Sequence, residues 1–143
     1  MLQQPKKTKF RKNQKGRLKK ISRNGQLRFG MLGLKALRPL RITRAQLESG
    51  RRAIARRIKK LGKVWVNVFP DLIVTAKPTE TRIGKGKGRL DYWACRISPG
   101  TIIYEIERTQ YSGSSPKLRL NEAQAALKAA AIKLPCRTTI VTL

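Results

Sequence analysis

The chain has 143 residues, 40% of them apolar, enough for one compact core and too many for a wholly disordered basic tail. It carries 34 Lys and Arg against 7 Asp and Glu, a net charge of +27, and has no His, so the common catalytic triads are excluded. Such self-repulsion gives a fold nothing, which implies a permanent polyanionic partner, nucleic acid before any other.

The excess is uneven. Residues 1–63 hold 22 basic groups and one acid; residues 64–143 hold 12 and 6. Residues 1–25 read as a basic arm that orders on its ligand, and 26–143 as a single domain. Within the arm, PKKTKFRKNQKGRLKK (5–20) has nine basic residues and no acid. Lys6, Lys7, Lys9, Arg11, Lys12, Lys15 and Arg17 are its candidate phosphate contacts. No apolar run approaches ~18 residues and no secretory h-region is present, so no membrane partner is expected.

Residues 26–42 read as short strands broken by Gly30, Gly33 and Pro39. A helix then starts at Thr43, with Gln46 completing a capping box, and Gly62 stands where a left-handed C-terminal residue belongs. Leu47, Ile54, Ile58 and Leu61 form its apolar stripe. Arg51, Arg52, Arg56, Lys59 and Lys60 form a cationic face suited to a phosphate backbone, with Glu48 the only acid. Gly50 lies mid-helix, at a cost of ~1 kcal/mol against Ala, and is expected to admit another backbone or RNA.

Strands follow at 63–69, ended by Pro70, and at about 72–76. A polar loop spans 77–89. Strands at 90–97 and 101–107 are joined at Ser98-Pro99-Gly100, with Tyr92, Trp93, Ile102 and Tyr104 as core or cross-strand packing. A second helix starts near Asn121, capped by Gln124, and buries Ala123, Ala126, Leu127, Ala130 and Leu134 before Pro135. A closing strand returns to the sheet. The pattern predicts an α+β fold of mostly antiparallel strands with two helices packed on the sheet. Cys95 and Cys136 are expected as buried, reduced thiols on strands, and the six acids beyond Glu48 as surface ion pairs or caps.

The loop carries the chemistry. In Arg82, Gly84, Lys85, Gly86, Lys87, Gly88 and Arg89, alternate glycines let backbone N–H groups face an anion while the cations between and around them add charge. Arg89 follows where a Walker loop needs a hydroxyl, and a strand follows where a dinucleotide fingerprint needs a helix, so neither motif applies. A loop of about 12 residues projects its tip ~15–20 Å. The acids form no catalytic motif. We therefore expect no enzyme, cofactor, metal or small-molecule substrate. A free nucleic-acid chaperone or architectural DNA- or RNA-binding protein explains the charge equally well. A phosphotransfer enzyme rests on the loop alone.

Colinear matches then run through nearly the whole chain. They comprise Met1 to Lys12 with Lys15-Gly16-Arg17; Phe29-Gly30 with Gly33 to Ala36; Ile42-Thr43 with Gln46, Glu48 and Arg51-Arg52-Ala53; and Gly62 to Val66 with Val68 to Asp71. Thr81 to Gly88, Tyr92-Trp93, Pro99-Gly100 with Tyr104-Glu105, and Ala129-Ala130-Ala131 with Lys133-Leu134-Pro135 continue the series. Together they resemble the bacterial-type large-subunit ribosomal protein sixteen family.

The resemblance implies a non-catalytic α+β domain at the base of the central protuberance, bound to large-subunit rRNA among neighbouring ribosomal proteins. It implies a role in positioning A-site tRNA and in late subunit assembly. The arm from Lys6 to Arg17 and the helix face (Arg51, Arg52, Arg56) match rRNA-contacting positions, and Arg82 to Gly88 matches the segment that reaches toward tRNA. The chain departs from the family at 37–41, at Ser49-Gly50 and in an apparent insertion at 109–117. These departures point to an organellar ribosome, in a mitochondrial matrix or plastid stroma, with a bacterial cytoplasm as the alternative.

Overall fold

β-Branched and aromatic residues fill most strands of this chain, and two capped apolar stripes make its helices. A computed structural model describes residues 4–18, 25–59, 61–82, 84–108 and 118–143. The elements are β1 (Leu32–Ala36), β2 (Leu40–Thr43), α1 (Arg44–Ile58), β3 (Gly62–Val66), β4 (Leu72–Ala76), β5 (Arg89–Ile97), β6 (Ile102–Arg108), α2 (Leu120–Ala131) and β7 (Thr138–Thr142). Each strand pairing is antiparallel. The fold is α+β, as the pattern predicts.

The strands divide between two sheets, ordered β3-β6-β1-β7 and β2-β5-β4. The single sheet expected from sequence is therefore corrected. Ser98-Pro99-Gly100 does not close a hairpin; it carries the chain from one sheet to the other. Gly100 N–H donates to Ala36 O at 2.8 Å and Ala36 N–H to Thr101 O at 2.9 Å, so the turn is stitched to β1 and β6 continues in the sheet of β1. Gly33 lies inside β1 instead of breaking it, at a place where a Cβ would strike the Leu27 side chain.

In α1 the expected capping box forms: Gln46 N–H donates to Thr43 Oγ1 at 3.2 Å, and Thr43 N–H to Gln46 Oε1 at 3.0 Å. Leu47, Gly50, Ile54 and Ile58 face the core. The helix ends at Ile58, so Leu61 falls outside it, and the positive φ (55°) belongs to Lys59. Gly62 instead opens β3, where a Cβ would sit 2.8 Å from Glu107 O. Gly50 admits neither a foreign backbone nor RNA. It makes room for the buried ring of Tyr104, whose hydroxyl donates to Leu47 O at 2.7 Å.

α2 starts at Leu120, one residue before the predicted start, and Glu122, not Gln124, accepts from the N-cap Arg119 N–H at 3.5 Å. Its buried alanines, with Leu127, let it pack closely against α1, β1 and β7. The main core lies between the helices and the four-stranded sheet, around Leu34, Ile54, Ile103, Tyr104 and Leu127. Each large aliphatic side chain buried there is worth roughly 1.5–3 kcal/mol. Cys95 is buried on β5, and desolvation pushes its thiol up to about 11; Cys136 is half-buried in the turn before β7, not on a strand.

One acid departs from its expected surface role. Glu105 on β6 is 0% exposed and accepts the backbone N–H groups of Arg28, Phe29 and Gly30 at 3.1, 2.7 and 2.9 Å. Asn67 Nδ2 donates to its other oxygen. Burial alone would raise its pKa, but the bonds from Phe29, Gly30, Asn67 and Arg28 outweigh it and hold the carboxyl below the ordinary range. The strap 28–30 thus crosses the outer face of β6, and Phe29 stacks on Trp65 with ring centroids 4.9 Å apart. Glu107 accepts from Trp65 Nε1 at 2.9 Å.

Candidate nucleic-acid interface

The arm runs against the domain. Residues 4–18 form no helix or strand, yet β2 and α1 hold them by the backbone and a side chain. Arg41 Nη2 donates to Gly16 O at 2.6 Å and to Lys15 O at 3.2 Å, and Arg44 Nη1 donates to Gln4 Oε1 at 2.7 Å. Arg41 lies directly opposite Arg96 in the β2–β5 ladder. Like charges in that position repel, and the carbonyls of the arm partly offset the cost. Lys6, Lys7, Lys9, Arg11, Lys12, Lys15 and Arg17 are all exposed.

The loop meets the arm at its base. Lys12 Nζ donates to Lys87 O at 2.5 Å, and Lys87 Nζ donates back to Asn13 O. Gly84, Lys85 and Gly86 have φ of 103°, 53° and 83°, three successive residues in the left-handed half of backbone space. A Cβ at Gly84 or Gly86 would meet nothing, so conformation and not crowding calls for glycine there. At Gly88 crowding does, because a Cβ would run into the Ala76 carbonyl. Lys77 Nζ closes the loop on Gly84 O at 2.6 Å. Arg82, Lys85 and Lys87 are exposed on this loop, and Arg89 is exposed at the start of β5.

The helix face is less free than its charge suggests. Arg51 binds Glu48 through Nη2 at 2.7 Å and Nε at 2.9 Å, and Arg52 Nε adds a bond at 2.9 Å. The Arg51 hydrogen bond leads in holding the Glu48 carboxyl down at about 2, against desolvation, with Arg52 adding to it. Arg51 is half-buried, while Arg52 and Arg56 are exposed; Lys59 is exposed at the helix end. Arg52, Gln4, Arg44 and Tyr92 share the wall of a cleft of about 770 Å³, so the first turns of the helix adjoin the arm. Lys60, the arm residues 1–3 and 19–24, Ile83 and the insertion at 109–117 lie outside the described residues.

Arm, loop, β2 and the start of α1 thus form one cationic surface. Sequence reading missed Arg41, Arg44 and Lys77, which organise it. Each acts on a carbonyl or amide from 7 to 40 positions away, and no local pattern marks such a partner. Among the described residues no three His, Cys, Asp or Glu side chains group to hold a metal, and no helix is long and apolar enough to cross a membrane.

A family model described as ribosomal protein L16p/L10e matches residues 5–141, from the arm to the penultimate residue of β7. The match spans nearly the whole chain and includes every element of this surface. The chain belongs to the L16p/L10e family of large-subunit ribosomal proteins.

Proposed function

We propose that this structural protein of the large ribosomal subunit binds rRNA beside the A site through its arm and the α1 face, and presents the 77–88 loop to A-site tRNA. Seven acids cannot neutralise 34 bases, and rRNA supplies the missing counter-charge. One observation carries the reading: the Lys12–Lys87 contact makes arm and loop a continuous surface with an exposed tip at Gly84–Gly86. An rRNA-bound arm would then set where the tip points. The same arm, by tying rRNA to β2, α1 and the loop, gives the protein a part in subunit assembly. The departures at 37–41 and at Ser49-Gly50 favour an organellar ribosome, mitochondrial or plastid.

Replacing Lys85 with Ala tests the loop without touching the Lys12–Lys87 contact. Incorporation into subunits should persist while A-site tRNA binding weakens. Normal tRNA binding in subunits that contain the variant would remove the loop from that role. A protein absent from large subunits at every salt concentration below subunit unfolding would remove the whole reading and leave a free nucleic-acid chaperone.

A further inference from the structure

A second cleft, of about 430 Å³, opens between the arm and the β4–β5 ladder. Its volume falls within the roughly 300–1,000 Å³ of sites that hold small organic groups. The floor is apolar. Ile73 and Trp93 are cross-strand partners, and Leu90 lies beside them. That third residue is there because of a register shift. Val74 pairs with Tyr92 but Thr75 pairs with Leu90, leaving Asp91 unpaired. The bulge turns Leu90 onto the face of Ile73 and Trp93, where strict alternation would have sent it to the face of Tyr92. Ile73 is buried beneath, but Leu90 stays 45% exposed and Trp93 half-buried, so these two are the open part of the floor. The rim is cationic: Arg11 and Lys12 from the arm, Arg89 from the base of the loop.

An apolar, aromatic floor inside a rim of three cations matches neither a paired helix, whose bases are stacked away, nor a run of acidic side chains, whose carboxylates do not stack on Trp93. It matches one nucleotide out of the stack, with its base against Trp93 and its phosphates on Arg11, Lys12 and Arg89. We propose that this cleft receives a single unpaired RNA nucleotide, so that the arm-side surface reads a bulge or looped-out base as well as backbone charge. The proposal rests on the rRNA-binding reading above and sharpens it from charge to RNA shape.

The test uses the full chain carrying Trp65→Phe, which keeps the ring on Phe29 and leaves Trp93 as the sole indole. Two RNA hairpins are compared at one salt concentration, identical except for one bulged nucleotide. The bulged hairpin should quench Trp93 and bind about tenfold tighter, the scale of one base–aromatic stack. Trp93→Leu should abolish that preference and leave the paired hairpin's affinity unchanged. If Trp93→Leu does not fold, the quench alone decides. Equal affinity for the two hairpins with Trp93 unquenched would overturn the cleft proposal while the rRNA reading stood. Failure to bind either hairpin, together with absence from large subunits, would overturn both.

Discussion

Lys12 and Lys87, 75 positions apart, are held together: the ammonium of Lys12 donates to the Lys87 carbonyl at 2.5 Å, and that of Lys87 to the neighbouring Asn13 carbonyl. Each of the two ammonium groups is thus satisfied by a backbone oxygen and neither by an acid. The contact is worth only about 0.5–1.5 kcal/mol per bond, so it couples arm and loop without locking them.

Loosening this contact should free the loop. In Lys12→Met, tryptic cleavage after Lys85 should accelerate several-fold over the parent chain, and bound RNA should slow it in both. Time-resolved mass spectrometry of the digest measures this. Equal rates in the two chains would mean the arm does not restrain the loop.

Glu105→Gln should destabilise the fold by about 2–3 kcal/mol at neutral pH, because a charged acceptor of three backbone N–H groups becomes neutral. The sign of the pH dependence follows from its lowered pKa. The stabilisation is present above the ordinary carboxylate range and is lost as pH falls through that range toward the folded value. Urea titrations from pH 7 to pH 3 should show the parent losing more stability than the variant. Parallel curves would dissociate Glu105 from the acid response.

Gly50→Ala should destabilise by about 1–3 kcal/mol, despite the ~1 kcal/mol that Ala gains in a helix, because its methyl would overlap the Tyr104 hydroxyl. Tyr104→Phe should cost about 0.5–1.5 kcal/mol by removing the hydroxyl's bond to Leu47 O. Thermal melts decide both; a stabilised Gly50→Ala variant would show that the ring shifts at little cost.

The helix arginines should differ in RNA binding. Arg56 is exposed, so Arg56→Ala should flatten the log–log salt dependence of rRNA affinity by about 0.7–0.9 if it neutralises one phosphate. Arg51 is half-buried on Glu48, so Arg51→Ala should change the slope less and stability more. Filter binding across a salt series separates the two. Identical slopes for parent and Arg56→Ala would take this helix face off the RNA.

The capping box at Thr43 and Gln46, the apolar stripe of α1 as far as Ile58, the buried alanines of α2 and the glycine spacing of the loop were all readable, because each is set by residues within a few positions of one another. The division into two sheets was not. It hangs on Gly100 and Thr101 bonding to Ala36, a choice of partner 64 and 65 positions away. Gly50 looked like an opening for RNA because its occupant, Tyr104, comes from a distant strand. Glu105 looked like one more surface acid because the strap that buries it is 75 to 77 positions upstream. Composition and local order determined an α+β chain whose charge demands a polyanion. Only the packing of distant segments decided that arm and loop share one surface, and that Leu90, displaced by a bulge, joins Trp93 on the floor of a cationic cleft. Charge and periodicity are summed along the chain; register and burial are settled only between segments.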